Sequence, residues 1–348
     1  MTARSLLLLL AALLLPPAAA VAAPPAPTGL QDNVVFHAHA PLARNDELLQ
    51  RLRSPLDALR IKQEIPQNSD ALHAWPLDPA KQHFALYVPP APPPPGGYAL
   101  LVFVPPWDDA RVPLQWIPVL DRTHTIFVSA AHSGNDANVL DGREPLALLA
   151  EYSVSQRYPV NPAHIYVGGF SGGSRIALRL ALAYPDVFRG ALLDAGSDPI
   201  GTAQVPLPPA DLFHRFQRST RIVFLTGDDD DIRQMQLAQA DAAFQHWCVF
   251  DSDSLTMLRT GHALAGAQGF DRALRSLVEP WKPDSRRLAT CRAKINGELD
   301  AQLRRAQAML DANRIDDARK LLGQINAHYG GLAAARSVAL MRLIDRHP

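Results

Sequence analysis

One serine of the chain lies in a setting where its hydroxyl could act as a nucleophile. Gly169-Phe170-Ser171-Gly172-Gly173 fits the pattern G-x-S-x-G, between the apolar run Ile165–Gly168 and a stretch rich in Ala, Leu and Arg. The apolar run is typical of a strand and the second stretch of a helix. A serine on a sharp turn between the two would carry its hydroxyl outward, with flanking glycines leaving room for a tight backbone. Free N–H groups at the helix N-terminus would point to the same spot. A glycine-rich turn with an incidental serine is the alternative interpretation.

A serine hydroxyl is a poor nucleophile until a histidine accepts its proton, and that histidine is oriented by a carboxylate. The chain offers candidates for both groups after strand-like runs. Ile222–Leu225 leads into four consecutive aspartates, Asp228–Asp231, and Leu255–Leu258 leads into a small-residue loop that contains His262. A solvated acidic loop explains some of the four aspartates.

Strand-like and helix-like segments alternate along the middle of the chain. The apolar runs that predict strands are Phe84–Val88, Tyr98–Val104, Thr125–Ala130, Ile165–Gly168, Ala191–Leu193, Ile222–Leu225 and Leu255–Leu258. Helical patterns, for example Leu146–Arg157 and Ser174–Tyr184, lie between them. This alternation predicts an α/β domain with a mostly parallel sheet. Ser171 falls beyond the carboxyl end of its strand, where such sheets place their sites.

Residues 160–173 (VNPAHIYVGGFSGG), followed by residues 182–188 (LAYPDVF), resemble the α/β-hydrolase superfamily. Within it, the sequence is most similar to the secreted polyhydroxybutyrate depolymerase and feruloyl-esterase-like branch. The resemblance covers roughly Phe84 to Trp281. It implies an α/β-hydrolase fold with a doubly wound sheet, and a nucleophile, an acid and a histidine in that chain order. It implies neither a metal nor an organic cofactor.

The resemblance places the acid on Asp230, since the family pattern is a glycine, here Gly227, then two residues, then the acid. Asp229 and Asp231 remain alternatives, and Asp194, after an earlier strand, is a rival from another position.

The resemblance places the base on His262, in the loop after the last strand. His124 and His132 precede Ser171 and so have the wrong order, while His246, beside Trp247, is more typical of a packed or surface residue.

The oxyanion hole is where the sequence departs from the family pattern. The N–H of Gly172 should be one donor. The second usually comes from a loop after an early strand, which here reads Val104-Pro105-Pro106-Trp107-Asp108. Because proline has no N–H, Trp107 is the first backbone donor available. Trp107 could equally form a wall of the substrate site.

The N-terminus predicts export to the periplasm or the extracellular space. Arg4, an apolar run over Leu6–Leu15 and the sequence Ala20-Val21-Ala22 indicate a signal peptide over residues 1–23. The run is too short to span a membrane, and no stable membrane anchor is expected. In an oxidising compartment Cys248 and Cys291 should form a disulfide; two free thiols are the alternative.

The charge balance excludes some partners. Lys and Arg number 34, and so do Asp and Glu, which argues against nucleic acid and against an anionic membrane surface. We expect an N-terminal decoration over residues 24–72, with a strand at Val34–Phe36 and a helix over Arg44–Arg60. The catalytic domain should span residues 73–282.

Residues 283–348 predict a helical extension. Apolar residues recur at helical spacing from Cys291 to Leu310 and again from Ile315 to Ile325, and a third helix should run to about Ile344. The first two resemble a tetratricopeptide hairpin. Because a lone repeat cannot bury its apolar face, the extension should either dock on the main domain or present a groove to a protein partner.

The sequence thus predicts an exported serine hydrolase that cleaves a small-molecule or polymeric carboxylic ester through Ser171, His262 and Asp230. The short, proline-rich segment Ser197–Thr220 predicts an open cleft without a large lid. The alternatives are a serine peptidase on the same fold and a non-catalytic binding protein that uses its helical extension.

Overall fold

A computed structural model describes residues 26–66 and 69–346 of the chain. The predicted signal peptide lies outside the described residues. One sheet of eight strands occupies the middle of this described part. The strands are β1 (Gly29–Val34), β2 (Phe84–Val88), β3 (Tyr98–Val104), β4 (Thr125–Ala130), β5 (Val160–Phe170), β6 (Gly190–Asp194), β7 (Arg221–Gly227) and β8 (Ser252–Met257).

The strands lie in the order β1-β2-β4-β3-β5-β6-β7-β8. β2 pairs antiparallel with both β1 and β4, and every neighbouring pair among β3 to β8 is parallel. The carboxyl ends of β3 to β8 therefore meet along one edge of the sheet. The residues that follow β5, β7 and β8 are those expected to carry the chemistry.

Helices cover both faces of the sheet. They are α1 (Asn45–Leu52), α2 (Pro55–Glu64), α3 (Ile117–Arg122), α4 (Glu144–Arg157), α5 (Gly172–Ala183), α6 (Ala210–Ser219), α7 (Asp231–His246), α8 (Ala267–Val278), α9 (Ser285–Asp311), α10 (Ile315–Tyr329) and α11 (Ala334–Ile344). Alternate residues of β3 pack into different cores: Val102 lies with the apolar faces of α4 and α5, and Phe103 with those of α3 and α8. Burial on both faces explains why this strand is continuously apolar.

The N-terminal segment differs from its prediction in two places. The strand is Gly29–Val34, because these residues pair with β2, whereas Phe36 lies beyond the pairing and packs its ring 5.0 Å from that of Phe84. The predicted single helix over Arg44–Arg60 is two helices. The break falls at Arg53 and Ser54, because a residue that precedes proline is disfavoured in the helical conformation and Pro55 starts the second helix.

The three C-terminal helices pack against the rest of the chain. The Gly331 N–H donates to Leu207 O at 2.6 Å, and Asn326 Nδ2 donates to Ser54 Oγ at 2.8 Å. Apolar residues of α9, α10 and α11 join the same core as α4 and α5. Docking is thus the arrangement found, while a partner surface on these helices and their likeness to a tetratricopeptide hairpin stay predictions.

A disulfide joins Cys248, two residues after the end of α7, to Cys291 of α9. It ties the C-terminal helices to the segment that leads into β8. In the described part of the chain, none of the helices has both the length and the apolar character that a membrane span requires.

Replacing both cysteines by serine should lower the free energy of unfolding by about 4 kcal/mol, because the bond closes a loop with a sequence separation of 43. Chemical denaturation of the oxidised protein measures the loss. As a control, a reductant should lower the midpoint of the natural chain and leave that of the double variant unchanged. Equal midpoints for the two oxidised proteins would show that the bond does not stabilise the fold.

Candidate active site

Ser171 occupies a strained turn between β5 and α5. Its backbone has φ 54° and ψ −118°, a conformation that a residue with a side chain rarely adopts. The Ser171 N–H donates to Asp194 O at 2.8 Å, which secures the turn against the end of β6. The neighbouring glycines are needed for close approach: a Cβ on Gly169 would overlap the Gly173 carbonyl, and a Cβ on Gly173 would overlap Val104 O.

Ser171, His262 and Asp230 form a chain of hydrogen bonds. His262 Nε2 lies 2.9 Å from Ser171 Oγ, and His262 Nδ1 lies 2.8 Å from Asp230 Oδ2. The Asp230 side chain is only 8% exposed and that of His262 is 38% exposed. A buried carboxylate behind a half-exposed imidazole is the arrangement in which the imidazole can take a proton from the hydroxyl.

The remaining aspartates of the acidic run do not hold the imidazole. Asp228 Oδ1 accepts from the Thr260 N–H at 3.1 Å, which fixes the loop that carries His262. The Asp229 N–H donates to Thr260 O at 3.0 Å, and Asp231 begins α7 as an exposed residue. Asp230 also caps this helix, since its Oδ1 accepts from the Arg233 N–H at 3.4 Å.

Asp194 is buried and bonds to the backbone of the histidine loop, not to the imidazole of His262. Its Oδ2 accepts from the Ala265 N–H at 2.8 Å, three residues beyond His262. Burial raises the pKa of the Asp194 carboxyl to about 8, so it is mostly protonated at neutral pH. A neutral carboxyl that bonds to the backbone of the histidine loop positions that loop without orienting the imidazole.

Two loops meet beside Gly172, the predicted oxyanion donor. The Asn135 N–H donates to Pro106 O at 3.1 Å, and the side-chain amide of Asn135 occupies the space that a Cβ on Gly172 would need. Within the described residues no acceptor takes the Trp107 backbone N–H. The side-chain amide of Asn135 thus lies beside Gly172, and Trp107 has a backbone N–H without a described acceptor; of these two residues only Trp107 was predicted.

Buried Arg143 holds these two loops together. Its Nε donates to Ser133 O and its Nη2 to Pro105 O, each at 2.9 Å. Burial lowers the pKa of this guanidinium to about 10, and it remains charged at neutral pH. The sequence offered no signal for Asn135, which lies in a loop, or for Arg143, which ends the short helix Val139–Arg143 before α4, because neither stretch contains a recognisable motif.

A cavity of about 360 Å³ opens beside Ser171 and Gly172. Its walls combine apolar groups such as Ile176 and Val205 with several arginines. On another side of the turn the Phe170 ring stacks on His262 with a centroid distance of 5.1 Å, and the Trp107 ring lies 6.3 Å from that of Phe170. Trp107 therefore contributes to an aromatic wall near the site. Among the described residues, no cluster of three or more His, Cys, Asp or Glu side chains could hold a metal ion.

The Asp194→Asn variant should remove a pH dependence of stability. The pKa of Asp194 in the folded chain, about 8, lies above its ordinary value of 3.8, so its stabilising contribution is complete below pH 3.8 and is lost as the pH rises through 8. The free energy of unfolding of the natural chain should fall by about 1.4 kcal/mol per pH unit in this window relative to the variant. Denaturation between pH 4 and 8 measures the difference, and parallel profiles would contradict a protonated Asp194.

The Gly173→Ala variant should unfold more easily, by about 3 kcal/mol, because its Cβ meets a backbone carbonyl that cannot move independently of β3. Gly323→Ala is the matched control. Gly323 lies exposed in α10 with no atom near its missing Cβ, and there alanine should stabilise the helix by about 1 kcal/mol. Urea denaturation of both variants distinguishes the two sites; equal shifts would contradict the close packing of the turn.

Comparison with known proteins gives a limited sequence match and distant structural matches. No family model matches the chain. A stretch of 74 residues is 39% identical to "Putative esterase NocK" of Nocardia uniformis subsp. tsuyamanensis, and it spans 21% of this chain and 19% of that protein. The chain thus matches about a fifth of this relative's length.

Among solved structures, S-formylglutathione hydrolase of Staphylococcus aureus aligns over 57% of this chain and 93% of its own, with 12% identity and a TM-score of 0.44. An esterase of Pyrobaculum calidifontis aligns over 56% and 80%, with 13% identity and a TM-score of 0.41. A puromycin-hydrolysing peptidase of Mycobacterium tuberculosis aligns over 56% and 36%, with 18% identity and a TM-score of 0.40.

The predicted fold class is confirmed. The sheet is parallel from β3 to β8, helices cover both of its faces, and the serine turn follows β5. The chain has an α/β-hydrolase fold with a helical C-terminal extension.

Proposed function

We propose that the protein is a serine hydrolase that cleaves carboxylic esters. One observation carries the proposal: Ser171, His262 and Asp230 are joined by hydrogen bonds at the carboxyl edge of the sheet, beside a cavity large enough for a small ester. The partial sequence match to a relative named as an esterase also supports it.

In the proposed mechanism Ser171 Oγ attacks the ester carbonyl carbon while His262 Nε2 takes the hydroxyl proton. The Asp230 carboxylate accepts a hydrogen bond from His262 Nδ1–H and stabilises the imidazolium that forms. The N–H groups of Gly172 and Trp107 donate to the developing oxyanion, with the Asn135 amide as a further donor.

The tetrahedral intermediate then collapses to an acyl-enzyme. The bond between the carbonyl carbon and the alcohol oxygen breaks, and His262 returns its proton to the departing alcohol. Water, deprotonated by the same imidazole, attacks the acyl carbon. The bond between this carbon and Ser171 Oγ then breaks, His262 returns the proton to Oγ, and the carboxylic acid leaves. The proton transfers in this sequence pass through His262, so the mechanism requires both of its hydrogen bonds.

The proposal includes export through the signal peptide over residues 1–23, and the disulfide is consistent with an oxidising compartment. Segment 197–220 contributes Asp198, Gln204 and Val205 to the cavity walls. If it leaves the cleft open, the site could also admit a polymeric ester such as the substrates of the polyhydroxybutyrate depolymerases that the sequence resembles.

Ser171→Ala and His262→Ala should each lower kcat/KM for p-nitrophenyl acetate by about 10⁴-fold or more, because the two residues act as one unit. Asp230→Asn should lower kcat/KM by a similar factor, because the imidazole would lose the hydrogen-bond acceptor that sets its tautomer. His132→Ala is the matched control, since this histidine is exposed and Asp108 is its one ion-pair partner among the described residues. Steady-state kinetics on folded proteins provides the measurement.

Unchanged activity in either alanine variant would refute the proposed roles of those residues. A matched ester and amide with the same acyl group tests the reaction class: faster cleavage of the amide would favour a peptidase.

A further inference from the structure

The cavity beside Ser171 has a wall rich in arginine. Arg143, Arg175, Arg179 and Arg233 all line it, and Asp198 is the one carboxylate among the described lining residues. A neutral ester needs no such concentration of positive charge.

The elements that carry the candidate triad also place three of these arginines. Arg175 and Arg179 follow Ser171 at intervals of four residues along α5, and this spacing puts them on one face of the helix. Arg233 lies in the first turn of α7, three residues after Asp230. The four-residue spacing of Ser171, Arg175 and Arg179 can be seen in the sequence alone.

Two of the arginines have a carboxylate partner. Arg179 Nε donates to Glu144 Oε1 at 2.6 Å, and this glutamate is completely buried. Arg175 Nε lies 3.4 Å from Asp198 Oδ1, but this buried nitrogen makes no hydrogen bond within the described residues. The charge of Arg175 is thus only partly balanced by Asp198.

The other two arginines have no carboxylate within ion-pair distance in the described part of the chain. Arg143 donates to two backbone carbonyls, and Arg233 Nη1 donates to the neutral Gln236 Oε1 at 2.7 Å. Four guanidinium groups therefore face two carboxylates around one cavity. A cavity lined mainly by charge of one sign attracts ligands of the opposite sign, so this lining favours an anion over a neutral ligand.

We propose that the site is specific for esters that carry a carboxylate close to the scissile bond, on the acyl or the alcohol side. The substrate carboxylate is bound by Arg175 and Arg233, whose planar guanidinium groups match a carboxylate with paired hydrogen bonds. The substrate class rests on the proposed ester hydrolysis, whereas the preference for an anion can be measured without turnover.

The test measures binding to the Ser171→Ala protein by calorimetry, with two matched pairs of esters. In the first pair, monoethyl succinate carries a carboxylate on the acyl side and ethyl 4-methylpentanoate is its neutral counterpart. In the second pair, 4-acetoxybenzoate carries a carboxylate on the alcohol side and 4-acetoxybenzamide is its neutral counterpart. In at least one pair the anionic ester should bind about tenfold more tightly than its neutral partner, and this preference should weaken as salt is raised.

Adding Arg175→Gln or Arg233→Gln to the Ser171→Ala protein should reduce that preference about tenfold, as expected when a charge-assisted hydrogen bond is lost. Arg60→Gln is the matched control and should leave the preference unchanged, because Arg60 lies exposed on α2 and pairs with Glu64. The affinity for the neutral ester in each protein shows whether the cavity remains intact.

Equal affinities in both pairs, or a preference that survives both arginine variants, would overturn the inference. Turnover of the same esters by the natural chain is measured in parallel. Hydrolysis without any preference would leave the proposed function standing and remove the anion specificity. Tighter binding of the anionic esters without hydrolysis of any ester would leave the anion specificity standing and contradict the proposed function.

Discussion

Asp194 connects the two loops whose relative position decides whether Ser171 and His262 can meet. Its backbone carbonyl accepts from the Ser171 N–H and from Ser174 Oγ, and its carboxyl accepts from the Ala265 N–H. A positive φ at a serine costs about 1–3 kcal/mol, which the surrounding structure must offset. One residue at the end of β6 thus both stabilises the strained turn and fixes the histidine loop.

Close packing at the start of α5 is the second constraint on the site. The helix begins against Val104 O at the end of β3, and the loop after β3 is held by Arg143. The nucleophile turn and the candidate oxyanion loop are therefore built as one unit. The two prolines of this loop have no N–H, and Arg143 instead binds the loop through the Pro105 carbonyl oxygen.

Much of the fold could be predicted from the sequence, because its central strands are buried on both faces. The bounds of β2, β3 and β4 coincide with the apolar runs that predict them. β5 is longer than predicted, since its first residues, Val160 to His164, include polar side chains outside the core. The predicted helix near the N-terminus was divided by Pro55, whose effect on the preceding residue outweighs the helical pattern.

The candidate site was predictable where a motif fixed it and unpredictable where long-range packing did. Ser171, His262 and Asp230 each follow a strand, so the topology alone brings them to one edge of the sheet. Arg143 and Asn135 come from the segment between β4 and α4, and only the folded chain shows that they reach Pro105 and Gly172. The charge of the cavity likewise depends on which arginines have carboxylate neighbours, which no local pattern reveals.

Labelling with a fluorophosphonate, followed by peptide mass spectrometry, tests the central claim most directly. The account predicts a single adduct on the peptide that contains Ser171, lost in His262→Ala because the hydroxyl is then no longer activated. An adduct on another residue, or no adduct on the correctly folded natural chain, would contradict it.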